Sequence, residues 1–164
     1  VNELALRPPQ LLVSRRAIGY WTVRAAIGWV VLLAVEAVIW LNNQQDSLSI
    51  LAVVAGVTVV LAVLHLVVMP QWRYRVHRWE RTNDAVYTQS GWFNVERRIA
   101  PISRIQTVDS QMGLFERAFR LSNVTVTTAS AAGPLKIHGL DRETARELVE
   151  DLIRTTQATT GDAT

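Results

Sequence analysis

A chain of 164 residues has room for one domain, or for a small domain and an appendage. Its 17 Lys and Arg against 14 Asp and Glu leave a net charge of +3, too small an excess to mark a nucleic-acid binder, and the absence of cysteine excludes a disulfide scaffold, a cysteine-ligated metal and thiol chemistry. Charged residues make up 19%, below the ~25% usual in soluble domains, so an apolar excess must be concentrated somewhere.

It is concentrated in two runs. Residues 25–41 read AAIGWVVLLAVEAVIWL, broken only by Glu36, and residues 48–69 read LSILAVVAGVTVVLAVLHLVVM, broken only by His65. As helices these rise about 25 Å and about 33 Å, against a bilayer core of about 30 Å. Tyr20 to Val23 can extend the first. The polar stretch 42–47, NNQQDS, is short enough to make the pair an antiparallel hairpin. No small-residue cleavage site follows the first run, which argues against a signal peptide. Arg15, Arg16 and Arg24 flank the first run and Arg73, Arg75, Arg78 and Arg81 follow the second, while the connecting loop has no Lys or Arg. The positive-inside rule then places both termini in the cytoplasm of a multi-pass cell-membrane protein.

After the second run the patterning changes. WRYRVHRWE, residues 72–80, alternates at period two and predicts a strand. AVYTQ, WFNVERRI, ISRIQTVDS, NVTVTTA and PLKIHG follow as strands between turn residues, with GLFERAF open between one helical turn and a loop. At the end, Ala145, Leu148, Val149, Leu152 and Ile153 fall on one helical stripe behind Asp141, a suitable N-cap. The tail has no apolar anchor. The expected organisation is an N-terminal segment at 1–16, a transmembrane hairpin at 17–70, a domain at 71–155 and a flexible tail at 156–164. The domain is a set of antiparallel strands closed by one amphipathic helix.

WRYRV after the second run, GWFNVERRIAPISRIQTVD, VTVTTAS and GLDRETARELVEDL, with Pro101, Arg104, Ile105 and Gln106 as the most recognisable motif, resemble the YdbS-like bacterial membrane proteins that carry a pleckstrin-homology-like (PH-like) domain. The likeness covers most of 24–154. It departs at Arg120, where the family usually has glycine, which puts the local turn geometry in question. The resemblance implies a membrane α+β protein: a two-helix transmembrane hairpin, then an antiparallel PH-like β-sandwich or barrel capped by a C-terminal helix. It implies no catalytic residues, and it suggests as partner a larger membrane protein with repeated PH-like domains.

The residues themselves carry little chemistry. His65, His77 and His138 are scattered, with no second histidine or carboxylate at metal-ligand spacing, and there is neither a glycine-rich phosphate loop nor a nucleophile elbow. No catalytic, cofactor-binding or metal residue is expected, and the chain is not expected to be an enzyme. Glu36 is the costliest residue, since an ionisable group in a span marks a functional position unless it snorkels. With the loop centred between 44 and 45, it should lie level with Val53, and His65 level with Arg24. Ala52 and Gly56 form a small-xxx-small pair that suits packing against the first helix.

Residues 71–120 carry net +4 and residues 139–164 net −3. Arg73, Arg75, Arg78 and Arg81 are the expected lipid contacts, each able to gain about 1 kcal/mol beside anionic lipid. Glu36, with Leu135 and Ile137 on a short edge strand, are the expected partner contacts. Two functions follow: a membrane-anchored interaction or scaffold subunit that assembles with another membrane protein or with itself, or an anionic-lipid headgroup module at the inner leaflet. Two spans already hold the domain, so weak headgroup affinity adds little as an anchor, which favours the first.

Overall fold

A computed structural model describes residues 7–42, 48–130 and 133–161. The connecting loop at 43–47, Ala132 and the last three residues lie outside the described residues. The chain runs β1 (Leu11–Leu12), α1 (Arg16–Asn42), α2 (Leu48–Val76), β2 (Arg78–Arg81), β3 (Ala85–Gly91) and β4 (Val95–Pro101). A 3-10 turn (Ile102–Arg104) leads to β5 (Ile105–Gln111), α3 (Leu114–Ala118), β6 (Leu121–Thr128), β7 (Leu135–Asp141) and α4 (Arg142–Gly161).

Both α1 and α2 are long and apolar enough to cross a membrane, and their aliphatic side chains stand exposed along most of their length. Past them, antiparallel strands form two sheets, ordered β1-β2-β3-β4 and β5-β6-β7. The Pro101–Gln106 motif is the crossover between them. Pro101 ends β4, Ile102 turns into the core and donates its N–H to Asp84 O at 2.8 Å, and β5 starts the second sheet. The helix α4 lays Ala145, Leu148 and Leu152 on the second sheet, while Ile153, at the margin of the predicted stripe, is 41% exposed. Val86, Ala100, Leu121, Val124, Val126 and Leu140 complete the core.

Three local expectations are corrected. The strand predicted at 72–80 is helix as far as Val76, and only Arg78–Arg81 is strand. Five alternating residues fit either period, and nothing between Pro70 and Val76 breaks a helix. Arg73 and Arg75 in the last turn suit the negative end of the helix dipole, and the Arg73 carbonyl accepts both the His77 N–H at 2.9 Å and its ring Nδ1–H at 2.8 Å. At the other end, α4 runs to Gly161, through part of the predicted tail. Asp141 stands directly before α4, as expected, and its carboxylate accepts Arg16 Nη1 at 3.0 Å.

The third concerns the N-terminal segment, whose described residues from Leu11 onward pack into the domain. Leu11 and Leu12 pair with Trp79 and Arg78, and Ser14 donates its N–H to Gly139 O at 2.9 Å. Ala17, Tyr20 and Trp21, the first turns of α1, are buried in the core. Gly139 makes this approach possible. Its φ is +77°, and a Cβ there would meet the Ala17 Cβ at 3.0 Å. Residues 11–14 thereby bridge the outer edge of β2 to that of β7.

Candidate functional site

Three contacts fix how α1 and α2 lie against each other. The Arg73 guanidinium stands 4.7 Å from the Trp21 ring, Trp29 Nε1–H donates to His65 Nδ1 at 2.8 Å, and the Thr58 hydroxyl donates to Glu36 Oε1 at 2.7 Å. Each step of eight or seven residues along α1 matches an equal step along α2, so one register satisfies all three. Glu36 therefore lies opposite Thr58 and not Val53, five residues from the symmetric expectation. The reason is energetic: a carboxylate, an indole N–H and an imidazole withdrawn from water must find partners, and this register gives one to each. Gly56 is not part of the helix contact, because a Cβ added there would meet nothing within 4 Å. Thr58 and Ala62 are buried in its place.

Thr58 satisfies only one Glu36 oxygen. Oε2 is buried and without a hydrogen-bond partner. Beside it, on the loop side, a groove of about 430 Å³ opens between the helices, lined by Leu33, Ala37, Trp40, Ala52 and Ala55.

A second assembly forms where α2 meets the sheets. The β3–β4 turn leans on the helix: Trp72 Nε1–H donates to Trp92 O at 3.0 Å, and the Trp92 ring lies 6.0 Å from that of His65, two turns further into the apolar run. Phe93 packs on Trp92 with centroids 4.2 Å apart and is 84% exposed. The turn is tight enough to require Gly91, whose φ is +131° and whose Cβ would collide with Asn94 O. Between turn and helix lies a cleft of about 440 Å³ lined by His65, Met69, Arg73, His77, Ser90, Trp92 and His138. A second cleft of about 370 Å³ adjoins it through Ser90 and His138 and is lined further by Lys136, Glu96 and Arg98.

All three histidines of the chain line the first cleft, a convergence that the sequence spacing hid. The one available signal was strand alternation, which puts Lys136 and His138 on the same face of β7. Among the described residues no group of three or more His, Cys, Asp or Glu side chains is placed to hold a metal ion. His65 accepts from Trp29 at Nδ1, so its proton is on Nε2. Burial, and then the charges of Arg73 and His138, push His77 down to about 4 despite its hydrogen bond to the Arg73 carbonyl. Burial lowers His138 too, followed by the charges of Arg73 and Lys136.

The predicted contact residues are dispersed. Arg73 packs on Trp21, Arg75 is exposed on α2, and Arg78 donates to the Arg75 carbonyl at 3.3 Å. Arg81 is held by Asp151 at 2.8 Å and by Thr155 at 3.0 Å, which ties β2 to α4 and removes it from any membrane-facing set. Leu135 and Ile137 are each 3% exposed, facing the core, so their side chains are not offered to a partner. The β7 edge is also partly occupied, with Gly139 O taken by Ser14 and Pro134 O by Arg98 at 3.1 Å.

Comparison with known proteins matches residues 23–156 to the bacterial PH domain. The chain belongs to this family. A relative, the transmembrane protein YdbS of Bacillus subtilis (strain 168), is 30% identical over 123 residues, 75% of this chain and 70% of that protein. No solved structure matches. The bacterial PH-domain match takes in both apolar helices as well as the sheets, and the chain is a membrane protein with two candidate transmembrane helices.

Proposed function

We propose that this bacterial PH-domain protein is a non-enzymatic, membrane-anchored subunit that assembles with another membrane protein through its spans. The observation that carries the reading is Glu36 Oε2, buried and unpartnered beside an apolar groove. A charged and unpaired group costs about 2.5–3.5 kcal/mol at a helix centre and less towards the interface, and the Thr58 hydroxyl offsets part of the cost at Glu36. A partner helix presenting a hydrogen-bond donor over Ala37, Ala52 and Ala55 would supply the rest, since small side chains let a third backbone come close. The family resemblance suggests a larger membrane protein with repeated PH-like domains as the partner. A second copy of this chain is the rival.

The test is extraction at native expression in two mild detergents, followed by sizing and identification of what co-purifies. Glu36→Leu should dissociate the complex. Thr58→Val, which breaks only the bond within the hairpin, should leave it assembled. A monodisperse monomer from the unaltered chain in both detergents overturns the reading.

A further inference from the structure

We propose that the open edge of β5 receives an extended acidic segment of a partner protein as an added strand, with its carboxylates held by Arg120 and Arg142. The inference is independent of the assembly proposed for the spans: it uses the sheets and not the hairpin, and its test does not involve Glu36.

The backbone is the first argument. The outer edge of β7 is partly taken, by the Ser14 N–H and by Arg98. At the other side of the same sheet, β5 pairs only with β6 among the described residues, and five of its seven residues are exposed: Gln106, Thr107, Asp109, Ser110 and Gln111. A row of unpaired N–H and C=O groups is a template for another strand. Beside it, between the end of β5 and the first half of α4, lies a cleft of about 1090 Å³ lined by Ser110, Met112, Arg120, Ser122, Arg142 and Val149. Ser110 faces this cleft, bonded to the Ser122 hydroxyl at 2.8 Å, whereas Asp109, the one carboxylate of β5, does not line it. Side chains of an added strand alternate in the same way, so every second one would enter the cleft.

The second argument is charge. Three carboxylates also line the cleft, and all three are engaged: Asp141 by Arg16, and Glu143 and Glu150 by Arg146. The guanidinium groups of Arg120 and Arg142 make no hydrogen bond or ion pair among the described residues. The Arg142 N–H donates to Arg120 O at 3.1 Å, which sets the two residues side by side. Two uncommitted guanidinium groups on one cleft suit a carboxylate, which each can grip by paired hydrogen bonds. Arg120 also holds a φ of +54°, a strain that glycine would avoid and that no contact of its side chain within the described chain repays.

Position favours a protein segment over lipid. Arg16, on the same cleft, stands nine residues before Ala25, where the apolar run begins, or about 14 Å along the helix. The polar layer of a bilayer extends only about 5–7 Å beyond its hydrocarbon. Between the two lie Ala17, Tyr20 and Trp21, buried in the core of the domain.

The experiment selects random linear peptides, displayed on phage, against the full chain in a neutral detergent, and measures the best of them as a synthetic fluorescent peptide by anisotropy. The selected sequences should carry Asp or Glu at alternate positions. Arg120→Gly and Arg142→Gln should each weaken binding at least about tenfold, as expected for the loss of a charge-assisted contact. Arg154→Gln, exposed on α4 away from the cleft, should leave it unchanged. The Arg120 variant carries its own control for folding, because relief of strain should raise its thermal midpoint while its affinity falls. N-methylation of the peptide, one residue at a time, should weaken binding with a period of two, since only alternate amides of an added strand face β5. Failure to select any peptide, selection without acidic enrichment, unchanged affinity in the Arg120 variant, equal losses in the Arg142 and Arg154 variants, or a methylation profile without that period would each overturn the proposal.

Discussion

Arg120 has φ +54°, a conformation that costs an L-residue roughly 1–2 kcal/mol and glycine almost nothing. This is the position where the sequence departs from the family's usual glycine, and the turn has kept the glycine's geometry under an arginine. Arg120→Gly should therefore raise stability by about 1 kcal/mol, read as a higher midpoint of thermal unfolding in detergent. Gly139→Ala should do the reverse, losing about 1–3 kcal/mol, since it adds the same backbone strain and pushes on Ala17. His77 gives a pH dependence. Its folded pKa, about 4, lies below the ordinary 6.5, so the unfolded chain takes up the proton first as pH falls. Its contribution is complete above pH 6.5 and is lost as pH drops towards 4, at most about 3 kcal/mol. Unfolding followed from pH 7 to pH 5 should show this loss, and His77→Gln should flatten the slope, leaving the smaller part from His138.

At the scale of elements, the strands between clear turn residues and the C-terminal helix were legible, because short period-two runs and a long 3.6-period stripe leave few alternatives. Leu152→Ala should cost about 2–5 kcal/mol, while Ile153→Ala should cost well under half of that, since only the first side chain is enclosed. Chemical denaturation of the two variants separates them. The end of α2 was not legible: Trp72, Tyr74 and Val76 alternate whether the backbone is helix or strand, and what decides is the continuous hydrogen bonding from the span. The register of the hairpin was hidden for a related reason. Loop symmetry is a statement about chain length, whereas the helices align on Trp29–His65 and Glu36–Thr58, contacts that no local pattern announces. Strand β1, two residues long, carries no period at all. The histidine cleft joins residues from a span, a turn and the last strand, so only the tertiary fold could assemble it.

At the scale of the whole molecule, the distribution of arginine still predicts the topology. Reporter fusions at residue 44 and at the C-terminus should read outside and inside respectively, and an outside signal at the C-terminus would refute it. The two spans also enter the domain differently from a pair of tethers. The first begins inside the core at Ala17 and Trp21, and the second passes without interruption by a loop into His77 and β2. Pro70 gives up one backbone hydrogen bond on the way but is fully enclosed. A domain on a single flexible stalk would swivel freely above the bilayer. One clamped at two points is carried along by its hairpin, so any change in the inclination of the helix pair moves the sheets with it.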